Sequence, residues 1–295
     1  MMEILRFCLG KLPQPKPGLT LALGGFDGLH KGHASLLLSC AYQASGDAGV
    51  LLFSKPFPGK EKEHLTSIEQ RLSLLERHRL DVAYIEEDED VFALEPEEFI
   101  EKVLLPLGTK KVVIGPDYRF GAKAKGDEAL LRKYFEVIVV PFVYEGEEKV
   151  ATSLIKAKLK EGKIEEANVL LGHPYSLKGK TVLGHQVGRT IGFPTLNLET
   201  EANQFLPKIG VYFCLAYFKG RFFKSIVNVG NNPTVGERPL TIEAYLFGYD
   251  GEDDYGFTLS LDFLHYLREE KRFSSLEELK AQIEKDKALA LSLED

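Results

Sequence analysis

The sequence predicts two domains: an amino-terminal α/β, Rossmann-like domain on a parallel sheet, and a carboxy-terminal small antiparallel β-barrel with a closing helix. Three observations carry that expectation. Apolar strand-like runs alternate with stretches of helical period from residue 19 to about residue 171, the pattern of a parallel sheet with helices on its faces. From Gly172 to about Ser275 that period is lost, and short strand-like runs are separated by glycine and proline turns. The length, 295 residues with 44% apolar and 27% charged side chains, suits two ordinary cores.

The elements follow in order. Residues 19–25 read as the first strand, residues 33–44 as a helix, and Ala48 to Phe53 as a second apolar strand. Thr66 with Glu69 has the spacing of a capping box before Ile68, Leu72 and Leu75, which share a helical face; Leu80 to Ile85 then alternates as a strand. Pro96 opens a helix with Phe99 and Val103 on one face, and Lys111 to Ile114 is a short buried strand. Asp127 caps one more helix before a strand at Phe135 to Val140. A helix from Thr152 runs to about Glu161, and another from Lys163 ends at Gly172.

The barrel strands are expected at Thr181 to Leu183, Gly210 to Phe218, Phe222 to Val229, Thr241 to Phe247 and Phe257 to Phe263. Ser274 with Glu277 has capping-box spacing, and Leu276, Leu279 and Ile283 give the closing helix one apolar face. The boundary falls between Gly172 and Ser176, giving domains 1–174 and 175–295.

Charge and cysteine content narrow the function classes. A net charge of −7 supplies no general attraction for nucleic acid or an anionic membrane, so anionic ligands must be met locally. Three unpatterned cysteines, with neither a signal-like amino terminus nor a bilayer-length apolar run, lead us to expect a cytoplasmic protein.

Chemistry concentrates first in Gly24-Gly25-Phe26-Asp27-Gly28-Leu29-His30-Lys31-Gly32-His33, between the first strand and the first helix. Glycines let the backbone approach a ligand, and the N–H groups of a helix start suit phosphate. His30 and His33, three apart, lie on one side of that turn and can donate ring N–H bonds to one phosphate, while the positive helix end discourages their protonation. Alone, H-x-x-H is more often a pair of surface or core histidines, and half of a zinc site is a poor fit because Cys8, Cys40 and Cys214 stand apart. The whole segment, however, resembles the G-x-F-D-G-x-H-x-G-H form of the nucleotidylyltransferase signature found in bacterial FAD synthetases, the bifunctional riboflavin kinase/FMN adenylyltransferases.

Two further clusters match that family. Gly115-Pro116-Asp117-Tyr118-Arg119-Phe120-Gly121 resembles its G-x-[DN]-[FY]-x-F-G loop, offering Asp117, Tyr118 and Arg119 to a flavin or nucleotide; for Tyr118 and Phe120, packing in a tight turn is equally open. Thr152-Ser153-Leu154-Ile155-Lys156 places hydroxyls and a cation at a helix start, as a triphosphate needs, although an N-cap followed by a solvated lysine is the commoner meaning of such a segment. Here the chain departs from the family: Lys156 stands where the resemblance expects arginine, and Phe53-Ser54-Lys55-Pro56-Phe57-Pro58 lacks the histidine of P-H-P, with Lys55 as the candidate replacement.

In the barrel, residues 184–197 resemble the riboflavin kinase signature around Gly192-Phe193-Pro194-Thr195-Leu196-Asn197. Thr195 and Asn197, two apart on an extended chain, present uncharged oxygens to one side, suitable for Mg²⁺ otherwise held by nucleotide phosphates; turn hydrogen bonding is the alternative. Arg189, between Gly188 and Gly192, would close over the phosphates. The resemblance puts the kinase base on a glutamate shortly after N-x-G-x-x-P-T, here starting at Asn228, which makes it Glu243, among Tyr245 and Phe247 on one strand face. An outward salt-bridging glutamate is the ordinary alternative. Arg268, in a match to L-R-x-E-x-x-F, either contacts flavin or nucleotide or anchors the closing helix.

The resemblance implies a bifunctional enzyme. The barrel would phosphorylate riboflavin with ATP and Mg²⁺, giving FMN; the first domain would adenylylate FMN to FAD and release pyrophosphate, with Gly24, Phe26, Asp27, Gly28, Gly32, Thr152, Ser153 and Lys156 at the phosphates and His30 and His33 stabilising charge. Two alternatives stand beside it. One is a riboflavin kinase with weakened or lost adenylyltransferase activity, the other a flavin-binding regulatory protein.

Overall fold

The computed structural model describes residues 2–55, 63–184, 191–230, 241–250 and 254–293. The chain forms two compact units, Met1–Thr152 and Ser153–Asp295.

The first unit is built on six strands: β1 (Glu3–Phe7), β2 (Leu19–Leu23), β3 (Ala48–Phe53), β4 (Val82–Glu86), β5 (Thr109–Ile114) and β6 (Glu136–Val139). They lie in the order β1-β4-β3-β2-β5-β6, and every neighbouring pair is parallel. The chain works outward from β2 in one direction through β3 and β4, then returns to place β5 on the other side. The carboxyl ends of β2 and β5 therefore flank a topological switch point, where open α/β sheets bind ligands.

Apolar side chains cover both faces. Helix α1 (Lys31–Gln43) buries Leu36, Leu37 and Cys40 on the face that carries Ala22, Val50 and Leu52. On the opposite face, α3 (Pro96–Phe99) and the π-helical turn Ile100–Leu104 bury Phe99, Ile100 and Val103 against Leu21, Leu51 and Tyr84. Two short helices complete this unit, α2 (Ile68–Leu75) and α4 (Glu128–Leu131), the latter capped by Asp127, whose carboxylate accepts the Leu130 N–H at 3.0 Å.

Three expectations need correction here. β1 did not stand out in the sequence, because an edge strand of five residues with four exposed or half-exposed ones has little hydrophobic signature. The capping box of α2 is Ser67 with Gln70, not Thr66 with Glu69, because the Thr66 hydroxyl accepts the Gly28 N–H at 2.8 Å. A short antiparallel pair, β7 (Tyr144–Glu145) and β8 (Glu148–Lys149), also precedes the next helix.

Helix α5 (Thr152–Glu161) begins at the last residue of the first unit, and α6 (Ile164–Leu171) follows, ending at Gly172 in the left-handed conformation, φ 80°. Asn168 of α6 ties this segment to the barrel: its amide donates to the Phe263 carbonyl at 2.8 Å and accepts the Tyr175 N–H at 2.7 Å. The second compact unit, which starts at Ser153, includes α6.

The barrel consists of β9 (Tyr175–Val182), β10 (Thr195–Thr200), β11 (Gly210–Phe218), β12 (Arg221–Gly230), β13 (Thr241–Leu246) and β14 (Thr258–Arg268). It closes in the order β10-β13-β12-β11-β14-β9 with antiparallel neighbours throughout. Five strands were expected; β10 is the sixth, and β9 and β14 are longer than expected. Lys178 and Lys180 in β9 and Asn197 in β10 sit on half-buried or exposed positions and interrupt the apolar runs that mark the other strands. Helix α7 (Leu276–Ser292) closes the unit, capped by Ser275, one residue later than the Ser274 expected.

Candidate active sites

The glycine loop leaves the carboxyl end of β2 at the switch point. Phe26 and Leu29 both adopt positive φ, 49° and 42°, with Gly28 at 75° between them, so two non-glycine residues hold a conformation that L side chains rarely take. Both side chains are buried, which fixes the turn from beneath. His30 is the N-cap of α1, and its Nδ1 accepts the His33 backbone N–H at 3.3 Å. A neutral His30 ring then carries its proton on Nε2. The two imidazoles stack at 3.7 Å with 16° between their planes, and Phe26 lies 5.2 Å from His33. Gly32 leaves room beside the pair: a Cβ there would stand 3.1 Å from the His30 ring. Gly24 likewise faces the Phe26 ring, 3.3 Å from where its Cβ would be.

The Asp27 carboxylate is engaged by Leu65 and Thr66. It accepts the Leu65 N–H at 2.9 and 3.1 Å, the Thr66 N–H at 3.0 Å and the Thr66 hydroxyl at 3.2 Å, and Arg71 stands 3.5 Å away. Arg71 also donates to the Thr66 carbonyl at 3.0 and 3.2 Å. Burial pulls the Arg71 pKa down from its usual value, and the Asp27 charge opposes the change. Thr152 donates its hydroxyl to the Asp27 carbonyl at 3.3 Å. Sequence reasoning missed Thr66 and Arg71 as partners of this loop, because nothing local in the sequence links positions 38 to 46 residues apart.

The loop after β5 is a packed turn. Phe120 is buried against Phe99, ring centroids 5.8 Å apart, and Tyr118 stacks on Phe120 at 5.9 Å. Burial raises the Tyr118 pKa. Gly121, at φ 70°, fits where a Cβ would meet Pro96 at 2.8 Å. Asp117 and Arg119 are exposed; Asp117 pairs with Lys149 at 2.8 Å and Arg119 donates to the Tyr118 carbonyl at 3.1 Å. Also at the carboxyl end of the sheet, Glu86 ends β4 with 1% of its surface exposed, and burial pushes its pKa up to about 7.

In the second unit, Ser153 stands exposed in the first turn of α5, whereas Lys156 is buried at 8% exposure, with Nζ 5.6 Å from the Phe205 ring centroid. Lys156 is therefore not the solvated lysine that the local sequence suggested as the commoner case.

The barrel brings three of its predicted residues into one row. Asn197 of β10 pairs with Glu243 of β13, which pairs on its other side with Asn228 of β12. Residues paired across a ladder share a face, and here all three are half-buried while Leu196, Leu198, Ile242, Ala244, Val227 and Val229 point to the core. Thr195 pairs with Tyr245 on the same face, and Phe193 meets Tyr245 edge-on at 5.2 Å. Asn228 donates to Glu270 at 3.3 Å. Gly184, which drew no separate notice in the sequence, packs so closely that a Cβ would lie 1.9 Å from the Asn197 amide nitrogen.

Arg268 donates from Nε to both Asp286 oxygens at 3.0 Å and from Nη2 at 2.7 Å, anchoring α7 to the end of β14. Of the remaining predicted residues, Gly192 takes φ 85° and Pro194 is half-buried before β10. Gly188 and Arg189 lie outside the described residues, as do Pro56 to Pro58.

Two family models match in succession, FAD synthetase over residues 12–154 and riboflavin kinase over residues 171–293. The chain is 33% identical to a bifunctional riboflavin kinase/FMN adenylyltransferase of Listeria monocytogenes, covering 94% of each, and 33% identical to one of Bacillus subtilis, covering 92% and 91%. An Escherichia coli relative of the same name is 32% identical over 98% of this chain and 97% of its own. Among solved structures, one from Streptococcus pneumoniae described as a macrolide-efflux protein superposes with a TM-score of 0.85 at 27% identity, covering 98% of this chain and all of the other. That description differs from those of the curated relatives; among the described residues, no helix is long and apolar enough to cross a membrane.

Proposed function

The chain belongs to the bifunctional riboflavin kinase/FMN adenylyltransferase family, and from that premise we propose how its two halves divide the work: residues 175–295 phosphorylate riboflavin, and residues 1–174 adenylylate FMN. It is an enzyme of FAD biosynthesis. ATP, riboflavin and FMN are its substrates, and FMN and FAD its products.

In the barrel, Glu243 acts as the general base that accepts the proton of the riboflavin 5′-hydroxyl as it attacks the γ-phosphate of ATP. Its place in register between Asn197 and Asn228, on the half-buried face beside Tyr245, is the observation that carries this reading. Uncharged oxygens from Thr195 and Asn197, on the same face as a carboxylate, fit a Mg²⁺ held mainly by nucleotide phosphates, so these two residues would hold it. When bound, Mg²⁺ neutralises phosphate charge. Gly188, Arg189, Gly192 and Pro194 frame the nucleotide; Arg268 supports the site by fixing α7.

In the amino-terminal half, an FMN phosphate oxygen attacks the α-phosphate of ATP and pyrophosphate leaves. No covalent protein nucleophile is needed for this step; positioning and charge stabilisation carry it. His30 and His33 donate ring N–H groups to phosphate, Gly24, Phe26, Gly28 and Gly32 shape the loop, and Thr152, Ser153 and Lys156 are proposed as further phosphate contacts. Asp117, Tyr118 and Arg119, at the other side of the switch point, are proposed for flavin or nucleotide. The net charge of −7 and the free cysteines Cys8, Cys40 and Cys214 support a cytoplasmic enzyme of small-molecule substrates that takes neither nucleic acid nor membrane as partner.

The test is to incubate the purified protein with riboflavin, ATP and Mg²⁺ and to separate the flavins over time. FMN is expected first and FAD after it. FMN that accumulates without FAD would contradict the amino-terminal assignment, and the absence of FMN would contradict that of the barrel.

A further inference from the structure

Resting on the adenylylation site just described, we propose that Thr66, Asp27 and Arg71 form a clasp that holds the glycine loop in its strained shape and thereby aims His30 and His33. Asp27 is then a positioning residue rather than a phosphate contact. A carboxylate facing a triphosphate would repel it; this one instead accepts from two backbone N–H groups, Leu65 and Thr66, and from the Thr66 hydroxyl, with Arg71 3.5 Å away.

The Thr66 hydroxyl is the centre of the clasp. It donates to Asp27, accepts the Gly28 N–H at 2.8 Å and accepts from Arg71 Nε at 3.3 Å, so its one proton and its lone pairs are all engaged. Arg71 extends the clasp to the far side of the loop through the Gly25 carbonyl at 3.5 Å. The loop needs such support. Phe26 and Leu29 both hold positive φ, and conformations of this kind persist only where the surroundings over-determine them. His30 follows Leu29 directly as the helix cap, so relaxation at Gly28 and Leu29 would swing the imidazole pair away from the substrate.

Thr66→Val keeps the shape and removes the hydroxyl; Thr66→Ser keeps the hydroxyl and removes the methyl group. For FMN adenylylation the clasp predicts that Thr66→Val lowers kcat by about 10- to 100-fold with KM for FMN and ATP little changed, as expected when reacting groups shift by about 1 Å. Thr66→Ser should recover most of the loss, and riboflavin phosphorylation should be unchanged in both. A purely structural role would lower the melting temperature without this kcat-only loss and without the serine rescue. An active wild type with an equally active Thr66→Val, or a loss carried by KM, would overturn the clasp alone. A wild type that phosphorylates riboflavin but never adenylylates FMN would overturn the site reading and the clasp with it. Should Thr66→Val not fold, Asp27→Asn serves instead, since it sets an amide donor against the Leu65 and Thr66 N–H groups. Wild-type kcat in that variant would also overturn the proposal.

Discussion

Glu243 stands directly across the β10–β13 ladder from Asn197, and Asn228 faces it from the other side. Three polar side chains from three strands are thus set side by side by backbone hydrogen bonds alone. A proposed base and a proposed metal ligand held this way need no loop to bring them together, which is the kind of preorganisation that phosphoryl transfer uses.

The close fit of Gly184 against Asn197 makes the first prediction. A Cβ 1.9 Å from the amide nitrogen must push that side chain off the row. Gly184→Ala should lower kcat/KM for riboflavin phosphorylation by about 100-fold, the order expected for a misplacement of about 1 Å, while FMN adenylylation stays at the wild-type rate. Steady-state assays of the two half-reactions check it.

The Arg268–Asp286 pair should matter for stability first. Asp286 is 4% exposed, and its oxygens take three guanidinium bonds. Arg268→Ala leaves a buried carboxylate without its counter-charge and should destabilise the second unit by about 3 kcal/mol, measured by denaturant unfolding. Adding Asp286→Ala should restore part of that loss. At temperatures where the single variant is folded, an unchanged KM for ATP and riboflavin is expected; a large rise would mean direct substrate contact.

Glu86 gives the enzyme a predictable response to pH. Its pKa rises from 4.5 to about 7 on folding because it is buried. Between those values the folded state binds the extra proton, so this group's contribution is fully favourable below about pH 4.5 and is lost as pH rises to about 7. Glu86→Gln, which keeps an oxygen for the Asp88 N–H, should therefore raise the melting temperature of the first unit at pH 8 and do less at pH 5. Thermal scans at the two pH values decide it; an equal effect at both would contradict the shift.

Much of the architecture was legible because it rests on periodicity. The β and α alternation marked β2 to β6, and the runs 210–218 and 241–247 lie within a residue of β11 and β13. What failed did so for identifiable reasons. Thr66-Ser67 and Ser274-Ser275 are each two adjacent hydroxyl residues with a suitable partner three positions on, so both registers of a cap satisfy the sequence pattern. In the first case a tertiary bond decides, since Gly28 claims Thr66 and leaves Ser67 to cap. β10 was hidden because its Thr195 and Asn197 face away from the core.

The candidate sites divide in the same way. Residues within one motif, such as His30 with His33 or Thr195 with Asn197, could be read as neighbours from strand and helix periods. Relations across the chain could not: Asp27 with Thr66, Gly184 against Asn197 and Arg268 with Asp286 depend on packing between distant segments. For Arg268 the sequence left two roles open, and the structure places the guanidinium on the closing helix.

The central claim, two chemistries on two separate sets of residues, is tested most directly by measuring both half-reactions in Glu243→Gln and His33→Ala. Loss of the proposed general base should lower FMN formation from riboflavin by roughly 10²- to 10⁴-fold and leave FAD formation from FMN intact. Loss of the His33 donor should lower FAD formation from FMN by roughly 10²- to 10³-fold and spare riboflavin phosphorylation. A reciprocal pattern is the predicted result. If either variant lost both activities while its melting temperature stayed at the wild-type value, the separation of the two sites would be contradicted.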